Sequence, residues 1–484
     1  MSNEAGRAPG HPSGRSRAHS HGRLPDWCTA MALSYALGRE AAGPAPHEAV
    51  PLDEAAGCIL AEELRTPLPV PHYPSSAMDG FAYAAHEPAG TPPTTREAAS
   101  GEPTPGEWVL EDWTGSEHSL APGRACPVVT GRAVPHGATG IIRSEYAQVS
   151  DSAHTGPTPT AGDSAPDRTL ALAPGAPLSE LEPGRHIRPA GGEAPSGALI
   201  APAGTALTPP LLAMAAICGR DSVLVASPPR VSLLYTGDEV VASGLPVRGT
   251  VRDAFSVQLP HLLSLAGADI LDAVRIGDDA ATTRDALSHM LASGTDMIVT
   301  TGGTGRSAAD HIRAELTALA QETGGRIVFP ELDMRPGHPT LLAALRTAEG
   351  RLVPALGLPG NPLAAMAAMR VAGRALLRGM RGLPPEVLLT VPLGVDSPAQ
   401  KAERLVPAVP DNPRSEHFVS DSGAESDGKR SLGCRSAQDE PAWEPCTHAG
   451  PNMMRGLTCA EGWIVLPSRA VRAGERVPFL PLEW

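Results

Sequence analysis

The sequence predicts a multidomain protein of mixed α/β and β class with an α/β domain at its centre, and three observations carry that expectation. At 484 residues the chain exceeds what one core can fill and should divide into about three or four domains. Between residues 230 and 362 one arrangement recurs five times, a short apolar run ending in a cluster of Gly, Pro and charged groups. Residues 67–185 instead read as short β-like runs separated by Gly, Pro and Thr, which marks a β-rich unit. Cores must be filled by aliphatic residues, because 42% of the chain is hydrophobic but only 3% aromatic. The formal charge of −14 excludes non-specific nucleic-acid binding as the main role and requires any anionic ligand to find a local source of positive charge.

Taken in order, residues 1–23 carry His11, His19 and His21 among Arg, Ser and Gly, with no apolar period, and are expected to be a disordered tail. Asp26 fits the N-cap of an apolar helix over 27–40, and a second helix is expected over 53–64, before Pro67. With a helix at 211–218 and a strand at 223–225, residues 24–66 and 186–229 form a discontinuous helical N-terminal domain into which the β-rich 67–185 is inserted. A long loop is expected at 150–169. From 230 to 384 strands at 231–235, 269–274, 297–300, 327–329 and 352–356 alternate with helices at 256–266, 281–292, 309–321 and 361–377, the pattern of βαβ units. Residues 385–484 form a small C-terminal β domain, with strands at 387–391, 463–466 and 477–480 and a disordered polar insertion at about 410–445.

The seven cysteines, widely spaced and without a Cys-x-x-Cys pair, are expected to be reduced and mostly buried. No run approaches the ~20 apolar residues of a membrane span, and no signal-peptide core is visible, so a cytoplasmic protein with no membrane or nucleic-acid partner is expected.

The five clusters follow strands, and in an open α/β sheet such loops line one crevice. They are Thr236-Gly-Asp-Glu239, Gly277-Asp-Asp279, Thr301-Gly-Gly-Thr-Gly305 with Asp310 behind it, Arg335-Pro-Gly-His338, and Leu358-Pro-Gly-Asn-Pro362. The glycine-rich loop, Gly302, Gly303, Thr304, Gly305 and on to Ser307, offers backbone amides to a phosphate, although no Gly-Lys-Ser/Thr follows and it is not a Walker A loop. Gly360, Asn361 and Pro362 read as a helix mouth with an N-cap and a first-turn Pro, a second anion site. Asp238, Glu239, Asp278, Asp279 and Asp310 are hard oxygen donors that suit Mg2+ bridged to ligand phosphates, or else turn and cap carboxylates. Arg335 and His338 could donate to an oxyanion.

At this point the chain resembles a known family, the molybdopterin molybdenumtransferases, which include MoeA and the E domain of gephyrin. The resemblance runs from Leu24 to Trp484 through Pro74-Ser-Ser-Ala-Met-Asp-Gly-Phe-Ala82, Thr130-Gly-Arg-Ala-Val-Pro-His-Gly-Ala138, Thr236-Gly-Asp-Glu239, Met334-Arg-Pro-Gly-His-Pro339, Leu358-Pro-Gly-Asn-Pro362 and His448-Ala-Gly-Pro-Asn-Met-Met-Arg-Gly-Leu457. It implies a molybdopterin-binding-like three-layer α/β central domain. It also implies an enzyme of molybdenum cofactor biosynthesis that uses Mg2+, inserts molybdate into adenylylated molybdopterin and releases AMP. A molybdopterin adenylyltransferase is the implied partner. The implied assembly is a homodimer whose site is shared between subunits, with Asp79 and Thr130 acting in trans.

Carried over position by position, the resemblance assigns Asp79, Thr130, Glu239, Asp278, Asp310, Pro359 and Pro362. With the loop readings above it gives Asp79, Asp278, Asp310 and Arg335 catalytic roles. Asp238, Glu239, Asp278 and Asp310 hold the metal, and Thr130, Thr236, His338 and the two anion loops hold substrate. Several positions depart from the family. Its Gly-Glu-Asp reads Gly192-Glu193-Ala194, and its Gly-Gly-Val-Ser-Val-Gly reads Gly302-Gly-Thr-Gly-Arg-Ser307. The lysines of its Lys-x-x-x-Lys-Pro-Gly-Lys-Pro segment are read as Leu332, Arg335 and His338. These departures keep two other readings open, a non-catalytic molybdopterin-binding paralogue and a scaffold protein.

Overall fold

A computed structural model describes residues 24–43, 46–86, 106–113, 118–151, 168–305, 310–411, 440–450 and 453–482. The expected N-terminal tail, the body of the loop at 150–169, most of the insertion at 410–445 and Ser307 lie outside the described residues. The chain forms two compact units, one of residues 1–47 with 226–484 and the other of residues 48–225.

The first unit is built on a six-stranded sheet. Its strands are β1 (Arg230–Tyr235), β2 (Asp269–Arg275), β3 (Met297–Thr301), β4 (Arg326–Phe329), β5 (Leu341–Arg346) and β6 (Leu352–Leu358), in the spatial order β2-β1-β3-β6-β5-β4. Strands β2, β1, β3 and β6 run parallel, whereas β5 pairs antiparallel with both β6 and β4. All residues of β3 and β6 are buried, as expected for parallel strands covered on both faces.

Side chains alternate between those faces. Val231, Leu233, Val299 and Leu356 join a core with Leu259 and Leu263 of α2 (Phe255–Leu265) and with Trp27, Met31 and Leu37 of α1 (Trp27–Ala41). Leu234, Ile298, Val353 and Ala355 join the opposite core with Leu287 and Met290 of α3 (Ala280–Ala292) and Ile312 and Leu316 of α4 (His311–Glu322). A helical run over 362–380, made of α5 (Pro362–Ala368), a π-helical segment at Met369–Gly373 and α6 (Arg374–Met380), completes the first face. The result is three layers, helices on each side of one sheet.

Strand β5 was not expected from the sequence. Its alanines, Ala343 and Ala344, blur the apolar run, yet it is almost wholly buried between β6 and β4. The same unit carries a five-stranded antiparallel sheet ordered Leu389–Pro392, Arg476–Pro481, Gly462–Leu466, Arg404–Pro410 and Trp443–Pro445. Trp443–Pro445 is thus a strand where a polar insertion was expected.

In the second unit Gly140–Arg143, Gly80–Tyr83, Arg124–Val128, Glu107–Leu110, Arg168–Leu172 and Ala147–Asp151 form, in that order, a six-stranded sheet. The helix expected at 53–64 is replaced by turns and the short strands Ile59–Leu60 and Leu64–Arg65, while a helix does form at Pro209–Ile217. Ala55, Leu60 and Leu64 bury against Val223 and Val225, and Leu60 and Leu64 sit in short strands paired with distant ones, so tertiary contacts override the helix read from the sequence. Of the six described cysteines none is disulfide-bonded. Only Cys126 and Cys218 are buried, which corrects the expectation of mostly buried thiols.

Candidate functional site

Topology locates the crevice. From β1 the chain passes to β2 on one side and then to β3 on the other, so the sheet has its switch point between β1 and β3, where loops diverge and leave a cleft. A cleft of about 800 Å3 opens there. It is lined by the turn after β1 (Thr236, Gly237, Glu239), Asp278 after β2, Gly302 to Gly305 after β3, Asp310, and Pro359 to Pro362 after β6.

Backbone geometry explains why glycines stand where they do. Gly302 and Gly303 have φ of 76° and 59°, in the left-handed region. A Cβ on Gly302 would lie 2.8 Å from the Thr236 hydroxyl, and one on Gly305 would lie 2.6 Å from the Asp310 carboxylate. The Thr236 hydroxyl donates to the Thr301 carbonyl at 2.8 Å and joins the ends of β1 and β3. Asn361 caps the helical run, its side-chain oxygen accepting from the amides of Leu363 at 3.0 Å and Ala364 at 3.3 Å, with Pro362 in the first turn.

Carboxylates dominate the charge of the cleft. Among the described lining residues Glu239, Asp253, Asp278 and Asp310 stand against Arg252 alone, so phosphates entering here need a cation with them. Asp238 and Asp278 face one another, each carboxylate accepting from the other's amide, at 3.2 and 3.3 Å. Among the described residues no three of His, Cys, Asp and Glu gather as a metal cage. This donor set fits Mg2+, which takes one or two carboxylates and completes its shell with water and phosphate oxygens. Asp279 is a cap: the amide and hydroxyl of Thr282 donate to it at 2.8 and 2.7 Å and hold its carboxyl below the usual range.

Other expected residues lie elsewhere. Asp238, Arg335 and His338 do not line the cleft. The backbone of Arg335 pairs with Glu403 and Leu405, at 3.0 and 2.8 Å, and its guanidinium donates to the Met334 carbonyl at 3.1 Å. The Nδ1 of His338 bonds the Leu332 carbonyl at 2.5 Å, and its Nε2 lies 3.8 Å from Glu331.

Leu332 is fully buried in the core with Met334 and Leu342. Counting back four positions from Arg335, as Lys-x-x-x-Lys requires, reaches Glu331 and not Leu332. The reading of Leu332 as the lysine position is therefore corrected to Glu331, which pairs with Arg313 at 3.3 Å.

Asp79 and Thr130 lie in the second unit and meet each other. The amide and hydroxyl of Thr130 donate to Asp79 at 2.6 and 2.8 Å, and these bonds lower the carboxyl's pKa. The antiparallel pairing of Gly80–Tyr83 with Arg124–Val128 brings the two turns together.

Sequence reasoning missed Asp253, Arg252 and Arg313. Asp253 is 5% exposed, accepts from the amides of Phe255 and Ser256 at 2.9 and 3.1 Å, and pairs with Arg275. Burial would raise its pKa, but the Ser256 bonds and the Arg275 charge outweigh that and lower it. A lone Asp two residues before an apolar helix was the available signal.

Comparison with known proteins bears on the whole chain. Residues 29–219 match the model for the MoeA N-terminal region (domain I and II), and residues 232–379 match that for a probable molybdopterin binding domain. The chain is 30% identical over 342 residues to molybdopterin molybdenumtransferase 2 of Mycobacterium tuberculosis, covering 69% of this chain and 75% of the relative. It is 28% identical over 348 residues to the molybdopterin molybdenumtransferase of Synechococcus elongatus, covering 69% and 77%. Its fold is similar to the crystal structure of the molybdopterin biosynthesis moeA protein of Pyrococcus horikoshii OT3, with a TM-score of 0.65, 19% identity and coverage of 95% and 100%. On these matches the chain belongs to the molybdopterin molybdenumtransferase family.

Proposed function

We propose that this transferase of molybdenum cofactor biosynthesis takes adenylylated molybdopterin into the cleft at the switch point, inserts molybdate at the dithiolene and releases AMP with the help of Mg2+. The observation that carries the reading is the convergence of the Gly302 to Gly305 loop and the Pro359 to Pro362 loop on one acidic cleft.

The amides of the glycine loop hold the pyrophosphate, and the Asn361-capped helix mouth holds a second anionic group. Glu239 and Asp278 are the lining residues that would hold Mg2+, with Asp310 completing the acidic wall and Asp238, off the lining, bracing the Asp278 turn through their mutual amide-to-carboxylate bonds. When bound, the ion offsets charge on the phosphoanhydride oxygens. Asp278 and Asp310 orient, and accept a proton from, the water that opens the anhydride. Arg335 and His338 take no direct part in this scheme.

The same reading includes a cytoplasmic homodimer in which Asp79 and Thr130 serve the partner's cleft, supplied by a molybdopterin adenylyltransferase. Among the described residues no helix is long and apolar enough to cross a membrane.

The test is incubation of pure, folded protein with adenylylated molybdopterin, MgCl2 and molybdate, following AMP release and reconstitution of a molybdoenzyme. AMP and active cofactor above a no-enzyme control are expected. AMP no higher than that control refutes the reading.

A further inference from the structure

Arg313, on the first turn of α4, lies outside the cleft lining but touches the loop that forms it. Its Nε donates to the carbonyls of Thr304 at 3.0 Å and Gly305 at 3.2 Å, and its Nη2 donates to Thr304 at 2.5 Å. Its Nη1 donates to the Pro330 carbonyl at 2.7 Å, and Glu331 pairs with Nη2 at 3.3 Å. The Arg313 amide donates to Gly303 at 3.2 Å, and the neighbouring Ile312 lies so close that a Cβ on Gly303 would come within 2.9 Å of it. One side chain thus ties the glycine loop to the segment after β4.

We propose that Arg313 is the positioning residue of the phosphate-binding loop, held in register by Glu331; this rests on reading the cleft as the nucleotide site. In a trans peptide the carbonyl and the following amide point in opposite directions. Fixing the Thr304 carbonyl on the guanidinium therefore turns the N–H of Gly305, a lining residue of the cleft, away from Arg313. The planar fork fits this task because it can bond several carbonyls at fixed angles, which an ammonium cannot. Glu331 stands where the family's first lysine falls. It is 4% exposed, and instead of offering a cation to the substrate it keeps Arg313 aimed at the loop.

AMP and inorganic pyrophosphate, each with MgCl2, serve as probes in calorimetry on the full chain and on Arg313→Lys and Glu331→Gln. Arg313→Lys should keep its unfolding temperature within about 2 °C of the parent, bind AMP about tenfold more weakly, and raise KM for adenylylated molybdopterin more than it lowers kcat. Glu331→Gln should weaken AMP by a smaller factor in the same direction. A purely structural role would move the unfolding temperature and leave the affinity of folded protein alone. If the parent binds AMP and pyrophosphate and both folded variants bind them equally well, the role of Arg313 is overturned. If the parent binds neither probe, the nucleotide reading of the cleft falls first, and the role of Arg313 falls with it.

Discussion

Replacing Leu332 by Lys restores no family lysine, since that position falls at Glu331, and the structure makes the substitution costly. Leu332 is 0% exposed and shares its core with Phe329, Met334, Leu342, Trp27 and Trp463. Removing that buried leucine costs roughly 1.5–3 kcal/mol of apolar burial. An ammonium in its place must stay neutral or be desolvated, and a lysine pKa depressed by up to about 3–5 units corresponds to a further ~4–7 kcal/mol at about 1.36 kcal/mol per unit. The sum, on the order of 5–10 kcal/mol, is comparable to the whole stability of a typical domain. Urea unfolding followed by tryptophan fluorescence should show this directly, because Trp27 and Trp463 report on the same core. Leu332→Met, a volume-conserving control, should cost less than about 1.5 kcal/mol. A Leu332→Lys protein with an unchanged urea midpoint and faster AMP release would refute the placement of Leu332 and the argument built on it.

Other outcomes follow from the same structure. Asn361→Ala removes two cap hydrogen bonds and should cost about 1 kcal/mol in thermal or urea unfolding, with weaker binding of AMP in calorimetry. Gly302→Ala forces a side chain into φ 76° against the Thr236 hydroxyl, a strain of roughly 1–2 kcal/mol that should lower AMP release about tenfold, measured in single-turnover assays. Ala194→Asp, at a position 6% exposed and packed with Val70 and Cys218, should lower the unfolding midpoint and give no gain in rate.

Glu180 supplies a pH test. Its fully buried carboxylate would be raised by burial, but bonds from Arg143 and His186 prevail and bring it to about 2. A depressed folded value means that its stabilisation is present above the unfolded pKa of about 4.3 and is lost as pH falls toward 2. Urea midpoints of the parent and of Glu180→Gln should therefore differ at pH 7 and converge between about pH 4.3 and 2.

Much of the central sheet was legible because fully buried parallel strands are written as continuous apolar runs. Val231 to Tyr235 and Met297 to Thr300 fall within a residue of β1 and β3 for that reason. The antiparallel strand β5 was hidden by its alanines. The helix expected at 53–64 does not form because Leu60 and Leu64 serve small sheets whose partner strands, Ser222–Ala226 and Leu199–Ala201, lie far along the chain. Within the site, the glycine loop, Asp278, Asp310 and the Pro359 to Pro362 mouth could be named in advance, since Gly and Pro at strand ends have few uses other than tight turns and close approach. Arg313 and Asp253 could not, because what marks them is the set of carbonyls and amides they reach, and those come from other elements.

By itself the sequence determined the family, the three-layer α/β centre and the strand ends that carry the cleft, since local patterns of burial and turn chemistry are encoded residue by residue. Only the tertiary structure decided which charges meet. It set Leu332 in the core and Glu331 on Arg313, kept Arg335 and His338 off the cleft lining, and joined Asp79 to Thr130, because the direction of a side chain depends on strand order and packing that no local spacing records.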